Sequence, residues 1–227
     1  MTLEETMARL KANGTAQNRK VYSRHGADEN CFGVSFAEIE KLRKAIQCDH
    51  ALALALWDTG NFDARNLAPL IADPLNMSAR DLESWAKSTS SHSHPGLISR
   101  YILPTSPLTA GKFESWLSSK HEYVAQLGWN CVSGMASWDK ARPDDFFVDK
   151  LKAIEAGIHT AQNRVKHARV MALISIGLRN PKLEALALAA AKRIGKVDVD
   201  HGQTSCVTPD PAAYIAKVKA RTSGKKA

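Results

Sequence analysis

Two histidines, His92 and His94, lie two residues apart beside Pro95 and Gly96, in the polar segment Ser88–Pro95. Imidazole changes its charge near neutral pH, so this pair is a candidate for acid–base chemistry or for contact with a phosphate. The same spacing is half of a metal site, but no third ligand has a convincing spacing, and we expect no metal. The alternative interpretation is an ordinary polar loop.

A second group of chemically useful side chains crowds the start of one predicted helix: Arg164, Lys166, His167 and Arg169. The apolar stripe of the same helix comprises Val165, Ala168, Ala172 and Leu173. Cations gathered on one face suit contact with a phosphate backbone, which positions a nucleic acid without reading its sequence. An ordinary solvated face is the alternative. A weaker basic patch near the N-terminus contains Lys20, Arg24 and His25.

The tryptophans and the segment after residue 196 are further candidates. Most of the five tryptophans are expected in the core, and Trp129 is the one for which we expect exposure at a binding surface. The segment Val197–Cys206 contains two aspartates, a histidine and a cysteine, a combination that could hold a metal. We favour a structured loop that covers the last pair of helices.

Helix signals dominate the segments that must position these residues. Capping boxes are predicted at Thr2 with Glu5 and at Ser35 with Glu38, and a weaker one at Ser78 with Asp81. Asp49 is predicted to cap a run rich in Ala and Leu, which are strong helix formers. Further helices are predicted at about residues 16–25, 61–72, 96–103, 109–117, 120–136, 144–158, 163–178 and 181–194.

About eleven short helices with brief connections predict an all-α fold, and no segment has the period-two pattern of a strand. This number is large for a simple bundle, and His50–Trp57 resembles Leu183–Ala191, so we favour an α–α superhelix of stacked hairpins. We expect one repeat domain over residues 1–195, followed at 196–227 by a loop and a basic tail with a frayed, solvated end.

Composition limits the class of protein. With 227 residues and 44% hydrophobic residues, the chain is long and apolar enough to form a globular core. No apolar stretch approaches the ~20 residues that span a membrane, and Met1–Lys11 does not resemble a signal peptide, so we expect a cytoplasmic protein whose four cysteines are reduced. A net charge of +8 favours a polyanionic partner.

A family resemblance rests on the segments FGVSFAEIEKLRKAI and DHALALALWDTGNFDARNLAPLIADP between residues 31 and 74, and continues through MSARDLESWA, YVAQLGWNCVSGMASWDK and NRVKHARVMALISIGLRN. Together these segments resemble the DNA alkylation repair family, the AlkD type of HEAT-like or ARM-like repeat DNA glycosylase. The resemblance implies a basic concave face that holds duplex DNA. It also implies excision of alkylated, cationic purines with help from an aspartate, two tryptophans and an arginine, and no cofactor.

The chain departs from that family pattern at the residues that would do the chemistry. The resemblance places His92 where the family has a tryptophan and Gly96 where it has the catalytic aspartate. It places Gln126 at the arginine and Met171 at the second tryptophan. Moving the alignment by a residue does not recover an acid, because residues 84–100 contain neither Asp nor Glu. A carboxylate that stabilises positive charge developing on the sugar is therefore missing.

These observations leave three functional hypotheses. The first is a monomeric AlkD-like protein that binds double-stranded, possibly alkylated DNA through His92, His94, Gln126, Trp129, Arg164, Lys166, His167, Arg169 and Met171, with altered or absent glycosylase activity. In the second, His92 or His94 replaces the lost carboxylate, which is chemically poor because imidazole carries no negative charge. The third is a non-catalytic repeat scaffold that binds a protein partner.

Overall fold

The computed structural model describes residues 1–89 and 91–223, in which all regular secondary structure is helical apart from a single antiparallel bridge between Gly14 and Val34. The helices in these residues are α1 Leu3–Ala12, α2 Ala16–Arg24, α3 Phe36–Ile46, α4 His50–Asp58, α5 Phe62–Ile71, α6 Ala79–Ser88, α7 Ser93–Tyr101, α8 Glu122–Trp138, α9 Asp144–Gly157, α10 Asn163–Gly177, α11 Pro181–Ile194 and α12 Pro211–Ser223. Three short 3-10 helices cover Leu103–Thr105, Pro107–Ala110 and Lys112–Trp116. The all-α prediction is confirmed. None of the described helices combines the length and hydropathy that crossing a membrane requires.

The helix starts follow the predicted capping residues. The Thr2 hydroxyl accepts a bond from the Glu5 N–H at 3.1 Å, and the Glu5 carboxylate accepts one from the Thr2 N–H at 2.9 Å. Ser78 and Asp81 form the same reciprocal box. At α3 the Ser35 hydroxyl caps the helix, while the Glu38 carboxylate binds Lys41 at 2.6 Å. Caps of this kind satisfy N–H groups that have no partner within the helix.

The chain divides into two compact units. The first unit contains Met1–Lys112 together with His201–Thr204, and the second contains Phe113–Asp200 and the residues from Ser205 onward. In the first unit α4 and α5 pack as a hairpin, and the indole of Trp57 stacks on that of Trp85 with centroids 4.3 Å apart. Burial of two parallel indoles contributes a large share of the apolar area in this core.

The second unit contains a tandem repeat of helical hairpins. Residue pairs 42 positions apart meet along α8 and α10: the Glu122 carboxylate accepts from the Arg164 N–H, and the Ser133 hydroxyl lies 2.8 Å from that of Ser175. A constant offset along both helices means that α8 and α10 lie parallel, with α9 as the return helix between them. The outer helices α9 and α11 also pack together. An offset of 42 residues lies in the range of HEAT-type units.

Three segments differ from the sequence prediction. Residues 109–117 form two 3-10 helices, because Pro104 and Pro107 lack the N–H groups that an α-helix needs and Gly111 interrupts the run. Helix α7 begins at Ser93 rather than at Gly96, since Pro95 is tolerated in the first turn.

The C-terminal segment is not the frayed tail that we predicted. Residues 211–223 form α12, which packs against α10 and α11. Ile215 is the anchor of this helix, with 1% of its side chain exposed. Residues 224–227 of the predicted tail lie outside the described residues, as does Ser90 of the predicted polar loop.

Candidate nucleic-acid interface

The start of α10 carries the densest group of predicted binding residues. Arg164, Lys166 and His167 are each half-buried, and the first turn of α10 contains no acidic residue of its own. The carboxylate of Glu122 accepts the backbone N–H of Arg164 at 2.6 Å, which leaves the guanidinium group outside that bond. Three basic side chains at the positive end of the helix dipole favour an anionic partner, although the carboxylates of Glu122 and Asp198 lie beside them.

The residues after Lys196 hold this helix start in place. The side chain of Asn163 exchanges two hydrogen bonds with the backbone of Asp200, each 2.7 Å long. The ring of His167 lies 3.4 Å from the Thr208 hydroxyl. Asp200, in the segment predicted as a covering loop, therefore lies against the first turn of α10. Among the described residues, no three His, Cys, Asp or Glu side chains lie together where they could hold a metal ion.

Arg169 is half-buried like Arg164, Lys166 and His167, but its guanidinium packs against α8. Its guanidinium carbon is 4.8 Å from the centroid of the Trp129 ring, a cation–π contact. Burial lowers the pKa of this guanidinium, and its Nε and Nη1 atoms are buried without a hydrogen-bond partner among the described residues. Gly157 makes room for it, because a Cβ there would lie 2.7 Å from Nη1. We conclude that Arg169 joins α8, α9 and α10.

Trp129 and Gln126 are also buried, although we expected Trp129 at the surface. Trp129 has 2% of its area exposed and Gln126 has 6%. Met171 is half-buried on α10, and the 42-residue register places it beside Trp129. The Met171 carbonyl accepts a long hydrogen bond of 3.5 Å from the Ser133 hydroxyl. The hydroxyls of Ser133 and Ser175 also meet between α8 and α10, and the sequence reasoning did not select them.

His92, just before α7, and His94, in its first turn, lie in different surroundings. His94 is 2% exposed; its Nδ1 bonds to the Thr89 hydroxyl, and its ring packs against Trp57 and Phe62. Burial lowers the pKa of His94 to about 3, so this ring is neutral at physiological pH. His92 is half-buried, and its ring centroid is 6.3 Å from that of His25. One side chain belongs to the core, so the pair cannot act on one ligand.

Gly96 lies on α7 with open space where a side chain would extend. No atom comes within 4 Å of the position a Cβ would occupy. An aspartate at this position would therefore meet no steric barrier, but the glycine present has no carboxylate.

Helix α2 presents the predicted N-terminal basic patch. Lys20 and Arg24 are exposed, and the helix contains no acidic residue. Its main attachment to the first unit is Tyr22, whose hydroxyl donates to the Val34 carbonyl at 2.9 Å and whose ring lies 5.2 Å from Phe62. A helix with no buried residue and several cations has most of its surface available to a polyanion.

A buried carboxylate that we did not predict explains the FGV segment. Asp63 is fully buried and accepts hydrogen bonds from the backbone N–H groups of Phe32, Gly33 and Val34, at 2.6, 3.1 and 2.7 Å. Three charge-assisted bonds to one loop make this a structural device rather than a catalytic acid. An acid one residue inside the start of α5 was the available signal, but its partners lie about 30 residues earlier in the chain.

Comparison with known proteins agrees with this architecture. Residues 6–205 match the family model described as DNA alkylation repair enzyme. Proteins Lmo0209 of Listeria monocytogenes and Lin0241 of Listeria innocua are each 25% identical to this chain over 98% of its length, covering 99% and 100% of their own.

A solved structure described as a new family of proteins related to the HEAT-like repeat DNA glycosylases, with affinity for branched DNA structures, is also similar. It superposes with a TM-score of 0.89 at 27% identity and covers 98% of this chain and 95% of its own. The match over residues 6–205 and the repeated hairpins of α8–α11 together show that this chain belongs to the DNA alkylation repair enzyme family and has its HEAT-like repeat fold.

Proposed function

We propose that this protein binds DNA, both linear duplex and branched, through the cationic start of α10, with the basic helix α2 of the first unit as a separate candidate contact, and that it does not excise bases by the carboxylate mechanism. The observation that carries the proposal is the group Arg164, Lys166 and His167 on a helix start without an acid of its own. The similar protein with affinity for branched DNA supports the choice of partner.

Binding through basic side chains should depend on salt and not on the DNA sequence. Lysine and arginine side chains release counterions from DNA when they contact phosphates, so affinity falls as salt rises. Contacts of this type do not distinguish sequences. The glycosylase reaction has a different requirement, a negative charge opposite the sugar, and residues 84–100 offer none.

The buried histidine does not replace the missing carboxylate. A replacement group must lie beside the sugar and offset positive charge, whereas His94 is enclosed by Thr89, Trp57 and Phe62 and is neutral. His92 is closer to the surface, but an imidazole is neutral or cationic and cannot offset the positive charge that a carboxylate would stabilise. We therefore expect binding without excision.

Anisotropy titrations with a labelled four-way junction and a linear duplex of equal length test the binding. We expect both affinities to fall with salt, and the double variant Arg164→Gln/Lys166→Gln to make the log–log salt slope shallower by about 1.8. The matched control Lys152→Gln/Lys182→Gln removes the same charge from exposed positions on α9 and α11. Salt-independent or undetectable binding would reject the proposal and favour a scaffold for a protein partner.

Incubation with methylated duplex DNA, followed by chromatography of the released bases, tests the lack of excision. We expect no release above the rate without protein. Release that survives replacement of both His92 and His94 would show that the chemistry uses a group outside the segment considered above.

A further inference from the structure

Helix α12 is held to the second unit by few contacts. The Asp210 carboxylate accepts the Ala213 N–H at 2.8 Å and caps the helix. Ile215 is buried against Gly177 and Ala187, with its Cδ1 only 2.7 Å from where a Cβ of Gly177 would lie. The Lys219 ammonium binds the Glu184 carboxylate at 2.6 Å. Between residues 211 and 221, Ile215 is buried, Pro211 and Val218 are half-buried, and the other side chains are exposed.

The direction of α12 follows from contacts along α10. Thr208, just before the helix, lies beside His167, while Ile215 lies beside Gly177 and Lys219 reaches Glu184 on α11. The second half of α12 therefore lies beyond the C-terminal end of α10. From Lys166 to Gly177 the rise along α10 is about 16 Å at 1.5 Å per residue, so the two ends of α10 are well separated.

The exposed face of α12 is cationic. Lys217 and Arg221 are exposed and four residues apart, which places them on the same side of the helix. Neither side chain has a hydrogen bond or an ion pair with any of the described residues, in contrast to Lys219. Residues 211–223 contain no acid, so nothing on this helix neutralises the pair. The face carries two unpaired cations that a solenoid cap, which needs only polarity, does not require.

We propose that the outer face of α12, defined by Lys217 and Arg221, is a second DNA-binding surface that contacts the phosphates of another arm of a branched DNA. This inference rests on the proposed DNA binding at the start of α10. Lys217 and Arg221 lie past the far end of that helix, about 16 Å or more from the first cluster, so one phosphate group cannot reach both. A single duplex also presents phosphates over that distance, so it is the affinity of the similar protein for branched DNA that favours a second arm as the partner of α12.

The double variant Lys217→Gln/Arg221→Gln tests the inference, because it keeps both positions polar and breaks no contact seen in the described residues. We expect junction affinity to fall by at least about tenfold at 0.1 M salt and the junction's salt slope to become shallower by about 1.8, while duplex affinity changes little. The matched control is Lys182→Gln/Lys192→Gln, which removes equal charge from exposed positions on α11. Thermal melting should show equal folding for all variants.

The results distinguish failure of the α12 surface from failure of DNA binding at α10. If the wild-type protein binds neither DNA, the proposed function and the inference fall together. If it binds, and Arg164→Gln/Lys166→Gln weakens binding while the α12 variant matches wild type, the α12 surface is only a cap and the inference is overturned. An equal loss for junction and duplex, or an equal loss in the α11 control, also overturns it.

Discussion

Protonation of His94 should destabilise the folded protein as the medium becomes acidic. The ring is 2% exposed, bonded to Thr89 and packed against Trp57 and Phe62, and burial lowers its pKa to about 3. In the unfolded chain the pKa of a histidine is about 6.5. Below that pH the His94 ring is protonated in the unfolded chain but stays neutral in the folded protein. The stabilisation is complete above pH 6.5 and is lost as pH falls towards 3.

The size of the effect follows from the difference in pKa. Each pH unit between the two pKa values lowers the free energy of unfolding by about 1.4 kcal/mol, so the loss from pH 8 to pH 5 is about 2 kcal/mol. Urea denaturation at a series of pH values, followed by circular dichroism, measures it. The variant His94→Gln cannot titrate, so its free energy of unfolding should fall by about 2 kcal/mol less than that of wild type over this interval.

His159 is exposed on the turn after α9, and His159→Gln is the surface control measured in the same titrations. Other titrating groups remain in all three proteins and cancel in the comparison. If His94→Gln and wild type lose stability equally between pH 8 and pH 5, then the ring is protonated in the folded state and our account of its burial is wrong.

Three further variants probe the structure. Gly96→Asp should raise the free energy of unfolding by about 0.5–1 kcal/mol in thermal melting, because open space near a helix start accepts the side chain. The variant should still release no methylated base in the chromatographic assay, because His92, Gln126 and Met171 remain. Asp63→Ala should lose about 4 kcal/mol in urea titrations, because three backbone N–H groups lose their acceptor; a loss under 1 kcal/mol would contradict this. Arg169→Met should be no less stable than wild type, because the buried guanidinium nitrogens lack acceptors; strong destabilisation would show a partner that we have missed.

Local signals account for the parts of the fold that the sequence predicted correctly. The reciprocal boxes at Thr2 with Glu5 and at Ser78 with Asp81 form as expected, as does the Asp49 cap. Each depends on atoms three residues apart, so neighbouring residues suffice to specify it. The prediction of an α-helix at Thr109–Leu117 was wrong, because Pro107 and Gly111 break this segment into two 3-10 helices.

Burial was harder to predict than helix formation. Trp129 and His94 could each be taken for surface residues from local polarity, yet both are 2% exposed. The partner of Trp129 is Arg169, 40 residues later, and the partners of His94 include Trp57, 37 residues earlier. Helical spacing fixes which side of a helix a residue occupies, but it does not say which other helix covers that side.

The sequence by itself determined the helical class, most helix starts, the excess of positive charge and the missing acid in residues 84–100, because composition and contacts within one turn suffice for these. The tertiary structure alone decided that Asp63 binds the loop around Gly33, that Arg169 packs on the indole ring of Trp129, and that α12 packs on α10 with a cationic face outward. Those outcomes depend on groups 30 to 40 residues apart, and their proximity is set by packing of whole helices.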